Sequence, residues 1–355
     1  MENNSFSNEM NVIRKDLRST ELRLPSVKQV SLLYSISVII LMFLASRVQH
    51  YETFSGLLIT EVILILPMPL MLLFYGKYDL KRVLRINKIG PLNVFLIFCL
   101  MFCAFWVVNI LNTWYLLLIK SIFGYVKASG VPPAADAKSL VIYILIIGVS
   151  AGVCEEVMFR GTIMRSFERF GAYKAIFITA VLFGLWHMYF TSFFGTFILG
   201  LLIGFIVYRS NSIFGGMFAH FTHNTLSVVF PYIILKISKL VSSDLGDLGN
   251  KDIDKTLTDI LNLPKPQLIT TFVVQGLMIL FVGVVFTGIM IAFIRTTANQ
   301  QEKVIRERVS GHKKNLLWLL PGLAFIGFMY YALGLSLLGI KIPIVTQIIK
   351  ILGLG

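Results

Sequence analysis

The chain has 355 residues, 56% of them hydrophobic and only 14% charged, with 29 phenylalanines and a mean hydropathy of +0.80. Soluble domains carry about a quarter charged residues, so this composition excludes a soluble globular protein and implies a chain that crosses a bilayer many times. The net charge of +14 does not point to nucleic acid, because the basic residues sit in short segments between apolar runs, as in a polytopic protein orienting itself against an anionic leaflet.

A helical span needs about 20 apolar residues. In chain order the predicted spans are 30–46, 56–75, 92–120, 139–159, 173–190, 193–208, 213–235, 268–294 and 316–338. The fold class is therefore an all-α polytopic membrane protein with eight or nine transmembrane helices. The run 193–208 is short, and 92–120 is long enough to tilt. About thirty mostly polar residues precede the first run and nothing there resembles a cleaved signal peptide, so that run reads as a true span. The three cysteines, Cys99, Cys103 and Cys154, all lie in apolar stretches and form no disulfide or metal-binding pattern.

The loops check this division independently. Arg14, Lys15, Arg18, Arg23 and Lys28 precede the first span and put the N-terminus in the cytoplasm. Lys77, Lys81, Arg82, Arg85 and Lys88 fill the second loop, Arg165, Arg169 and Lys174 follow the fourth span, and Arg209 follows the sixth. Arg295, Lys303, Arg306, Arg308, Lys313 and Lys314 fill the eighth. In a nine-span arrangement all of these fall on one side. The chain then divides into a cytoplasmic N-terminal segment (1–29), N-terminal transmembrane helices (30–128), a core (139–235), an external polar loop (236–265) and C-terminal transmembrane helices ending in an interfacial tail (266–355). Loop 236–265 contains Asp244, Asp247, Asp252, Asp254 and Asp259 and is expected to hold one short amphipathic helix. The external loop 128–139 ends where the fourth span begins.

Ionisable side chains inside a span are costly and mark function or pairing. Glu61, near the start of the second span, is close enough to the surface to reach it. "VSAGVCEEVMFRGTIM" (149–164) is different, since it puts Glu155, Glu156 and Arg160 deep in apolar sequence. Adjacent residues point about 100° apart on a helix, whereas Glu156 and Arg160 share a face. Arg160 then holds Glu156 as an orienting or structural pair, and Glu155 is left to handle a proton. "FGLWHMYF" (183–190) places His187 in the next span, and "FAHFTHNT" (218–225) places His220, His223 and Asn224 in the seventh. Any single histidine here can be a helix–helix hydrogen-bonding group. Together, Glu155 with His187 can activate a water, and His220 with Asn224 can donate to the oxyanion formed when it attacks a carbonyl. A divalent metal such as zinc, held by Glu155, His187 and His220, is the alternative chemistry. His223 reads as a neighbour of the site.

Glu155-Glu156-x-x-x-Arg160, Phe183-x-x-x-His187 and His220-x-x-x-Asn224, in this order and each on its own span, resemble the three-motif signature of the CPBP family of intramembrane proteases, which includes CAAX prenyl endopeptidases and bacteriocin-processing relatives. The resemblance covers roughly residues 139–235. It implies an all-helical core with an intramembrane catalytic cavity open to the cytoplasmic side, and hydrolysis of a peptide bond near the membrane surface. It implies that Glu155 activates water with His187, and that His220 and Asn224 stabilise the transition state. We favour a metal-independent enzyme with no cofactor. The expected partners are a membrane-associated protein or peptide substrate and the lipid bilayer, and the expected location is the cell membrane. The competing readings are a metal-dependent version of the protease, a non-catalytic immunity or scaffold protein, and a transporter. A transporter predicts internal repeat symmetry, which the sequence does not display.

Overall fold

A computed structural model describes residues 22–51, 53–126, 133–241, 253–301 and 313–340, with scattered positions to 347. Arg14, Lys15 and Arg18, the start of loop 128–139, Asp244, Asp247 and Asp252, Lys303, Arg306 and Arg308, and most of the C-terminal tail lie outside the described residues. Among the described residues there is no strand. The principal helices are α1 (Val27–Gln49), α2 (Phe54–Tyr75), α3 (Pro91–Phe123), α4 (Ala137–Phe170), α5 (Ala172–Trp186), α6 (Phe190–Ser210), α7 (Ile213–Val241), α8 (Ile253–Leu261), α9 (Lys265–Thr296) and α10 (Lys313–Leu337). The chain is an all-α, multi-pass membrane protein.

The helix ends follow local sequence. Ser26 and Gln29 form a reciprocal capping box ahead of α1, and Asp136 does the same with Ser139 ahead of α4. Pro91 opens α3, and Gly124 closes it in the left-handed conformation, φ 75°. Asn211, also left-handed, turns the chain between α6 and α7.

Each predicted run falls on a helix, and seven helices among the described residues are long and apolar enough to cross a membrane: α1, α2, α3, α4, α6, α9 and α10. The other two carry the histidines. α7 has 29 residues but is diluted by the polar run His220, Thr222, His223, Asn224 and Thr225. α5 is short, with 15 residues; it ends at Trp186, not at the predicted 190, because Met188 adopts φ 60°. The fourth span, predicted to end at 159, continues to Phe170. Its late charges are satisfied inside the protein and do not need water.

That satisfaction defines one end of the bundle. Arg85 grips Glu168 with two bonds of 2.6 and 3.0 Å, and Arg165 meets the same carboxylate at 2.5 Å. Arg85 Nε also donates to Asn211 Oδ1 at 2.9 Å, and Arg169 donates to Pro25 O at 2.9 Å. Arg209 donates to Ile294 O. This basic end joins the start of α1, the loop after α2, the end of α4, the α6–α7 turn and the end of α9. At the opposite end, Lys120 of α3 meets Asp254 of α8 at 2.5 Å, and the same carboxylate accepts from Val126 N at 2.8 Å. Asp259 shares that short helix, so loop 236–265 does contain the expected one.

α4 runs through the centre of the bundle: every residue from Cys154 to Arg169 is buried. Its contact with α7 depends on absent side chains. A Cβ on Gly152 would sit 3.3 Å from both Met217 O and Phe221 N, and one on Gly216 would collide with Val207 Cγ2 and sit 2.9 Å from Glu156 Oε2.

Candidate active site

Two wide, π-helical turns bracket the glutamates, Ile144–Ser150 before them and Phe159–Ile163 after. Such turns shift the phase of a helix and are common at functional positions. The carbonyls they loosen find side-chain donors: Asn224 Nδ2 reaches Ile147 O at 2.8 Å, and Thr162 Oγ1 reaches Val157 O at 2.9 Å. Asn224 is thereby oriented from α7 against α4, with its second amide hydrogen still to place.

Glu156 is fully buried, and its Oε1 receives Arg160 Nη1 at 2.7 Å. The same oxygen lies 3.0 Å from His220 Nδ1. The pair expected from sequence is present, but it does more than neutralise itself: Glu156 fixes the orientation of a histidine 64 residues away. With Nδ1–H donating to Glu156, the other edge of His220 is presented to Glu155, Nε2 to Oε2 at 3.8 Å. Glu155 Oε2 has no hydrogen-bond partner among the described residues. Arg160 also reaches Gly200 O at 3.3 Å, with its guanidinium 4.5 Å from the centre of the Phe183 ring.

His187 is the C-cap of α5, not a residue well inside an apolar span. Its Nδ1 lies 2.9 Å from Phe183 O, one of the helix-terminal carbonyls that lack a backbone donor. Nδ1–H therefore donates backward, and Nε2 is left as an acceptor. The Phe183 ring packs edge-on to both His187 and His220, with centroids 5.0 and 5.9 Å away. Phe183 thus has two roles in its motif, a carbonyl that sets one imidazole and a ring that spaces two.

Glu155, His187, His220 and Asn224 line one cavity of about 410 Å³. His223 lines it too and packs against Phe105. Sequence reasoning passed over Asn109 and Asn112 of α3, which face this cavity; Asn-x-x-Asn within so apolar a helix was the available signal. A second cavity, about 660 Å³, shares Glu155, His187 and Asn224 and adds Glu61, Gln49 and Thr60. Glu61 is buried, its Oε2 has no partner among the described residues, and it lines this cavity together with Glu155. It does not extend to the surface, as its place near a span end had implied. Among the described residues, no three His, Cys, Asp or Glu side chains gather as a set able to hold a metal ion. With both Nδ1 atoms engaged, the ring nitrogens of His187 and His220 left open to a ligand are their Nε2 atoms, and His220 Nε2 stands 3.8 Å from Glu155 Oε2.

Residues 137–226 match the family described as type II CAAX prenyl endopeptidase Rce1-like. Comparisons with curated proteins and with solved structures gave no match. The matched segment begins at α4 and ends just after Asn224, so it contains all three motifs and every residue of the glutamate–histidine cluster. The chain is a polytopic membrane protein whose segment 137–226 is similar to the type II CAAX prenyl endopeptidase Rce1-like family.

Proposed function

We propose that the chain is an intramembrane endopeptidase that hydrolyses a peptide bond of a membrane-associated protein or peptide. The observation that carries this reading is the convergence of Glu155, His187, His220 and Asn224 on one cavity. Glu155, with an oxygen left unpartnered, takes a proton from water as the water oxygen attacks the scissile carbonyl. His187, holding its Nδ1 proton on Phe183 O, accepts from that water through Nε2 and orients it. Negative charge then develops on the former carbonyl oxygen. His220, protonated on both nitrogens so that Nδ1–H donates to Glu156 and Nε2–H is free to donate, and the remaining Asn224 amide hydrogen are the donors for it. The carbon–nitrogen bond breaks, Glu155 returns its proton to the leaving nitrogen, and the second hydrogen of the water passes from the new carboxylic acid to the amine, so that the products are a carboxylate and an ammonium group.

The test is cleavage of a panel of membrane-embedded peptides by purified protein, comparing wild type with Glu155→Ala and His187→Ala, each with and without a strong chelator. We expect both variants to lose activity and the wild type to keep it under chelation. Full activity in Glu155→Ala would falsify the mechanism; loss under chelator with recovery on added zinc would replace it with the metal-dependent one.

A further inference from the structure

The side from which a substrate reaches this site follows from which end of the bundle its cavities extend toward. From Glu155 and His220, the lining residues run in one direction on every helix. On α4 they run back through Ala151 and Ile147 to Tyr143, and on α7 they run forward through Asn224 and Ser227 to Pro231. On α3 the first cavity continues through Asn112 to Leu116 and is bordered by Val126 and Ile253 of α8. The second is bordered by Pro133 and Ala134. All of these lie toward the Lys120–Asp254 end. In the opposite direction the site is closed. Residues 156–169 are buried without interruption, and Gly200 and Gly216 bring α6 and α7 within contact of their neighbours. Below this packing lies the Arg85–Glu168–Arg165 cluster, and neither cavity includes any residue of that basic end.

The basic end carries Lys77, Lys81, Lys88, Lys174, Arg295 and Lys313, and the positive-inside rule puts such an end in the cytoplasm. Asn109 and Ser227 are exposed in the cavity although they lie within helices that cross the bundle, as expected of groups facing water and not lipid. Among the described residues, the first cavity has no ionisable lining group apart from Glu155 and three histidines. Its other polar groups are amides and hydroxyls, among them Asn112, whose Oδ1 has no hydrogen-bond partner among the described residues, and Thr196. Neutral donors and acceptors of this kind match a peptide backbone whatever its side chains.

We propose that the cavity is water-filled and opens to the outer face of the membrane, so that its substrate is an exported polypeptide segment entering from outside. This rests on the protease reading for the word substrate, and it departs from the cytoplasmic opening that the family resemblance implies. The test is labelling of single added cysteines with a membrane-impermeant maleimide, in intact cells and after permeabilisation, over the wild-type background. Ser227→Cys and Asn109→Cys report the cavity, Lys138→Cys the far end and Lys81→Cys the basic end. We expect both cavity cysteines and Lys138→Cys to label in intact cells, and Lys81→Cys to lose labelling there and gain it on permeabilisation. Cavity cysteines that follow Lys81→Cys, or that fail to label from either side, overturn the proposal. Labelling of Lys81→Cys in intact cells overturns it as well, by reversing the faces. Retained cleavage by Glu155→Ala would refute the protease reading and leave this labelling pattern unchanged, so the two failures are distinguishable.

Discussion

Glu156 shows how much one buried oxygen can organise. Its Oε1 receives both Arg160 and His220, so its loss leaves a cation without its anion and an imidazole without its orienting acceptor. Removing one member of a fully buried pair costs about 3–5 kcal/mol. Glu156→Gln should therefore lower unfolding stability in detergent by that order and also reduce kcat, whereas Glu155→Gln should abolish cleavage with little loss of stability. Equal destabilisation of the two variants would contradict this division of labour. Asn224→Ala should lower kcat by about 10²–10³-fold with a smaller change in KM, as for loss of an oxyanion donor; a pure KM effect would make Asn224 a binding residue only. The Glu156–Arg160 pair was readable from its spacing of four. The bond to His220 was not, because it joins residues 64 positions apart and depends on the packing of α4 against α7.

At the scale of helices, the α4–α7 contact sets the distance between carboxylates and imidazole. Gly216 allows that approach. A methyl group there would collide with Val207 and press on Glu156, whereas one on Gly283 of α9 would meet nothing within 4 Å. Gly216→Ala should cost about 1–3 kcal/mol through overpacking and impair cleavage, and Gly283→Ala should be close to neutral. Thermal unfolding of both variants in one detergent checks the contrast. Span positions were legible from runs of apolar residues because lipid requires that pattern along most of each helix. The exceptions are informative. α7 is less apolar because its polar residues face a cavity, and α5 stops early because His187 and Met188 form a helix end inside the protein. The dilution of α7 is visible in its hydropathy, whereas the early end of α5 leaves no such signal, because the apolar run continues through Met188, Tyr189 and Phe190.

At the scale of the whole molecule, α8 is held beside the first cavity by Asp254, which ties Lys120 and the Val126 amide at the end of α3. Asp254→Ala removes both bonds. Hydrogen exchange in residues 253–261 should then speed up by about tenfold, equivalent to ~1.4 kcal/mol of local opening, while the α4 core stays protected. Unchanged exchange would show that Leu257, buried against α3, holds the helix unaided.

By itself the sequence determined the membrane-spanning, all-helical class, the approximate spans, and a short set of glutamates, histidines and an asparagine whose cost in a bilayer called for a function. These are local properties: hydropathy accumulates along a run, and a helical face repeats every three or four residues. The tertiary structure decided that Glu156 orients His220, that Glu61, Asn109 and Asn112 border the same cavities, and that those cavities extend away from the basic end. Each of these depends on how helices far apart in sequence are rotated and tilted against one another. That rotation is set by close packing at positions such as Gly152 and Gly216, where one missing methyl group fixes which side chains meet.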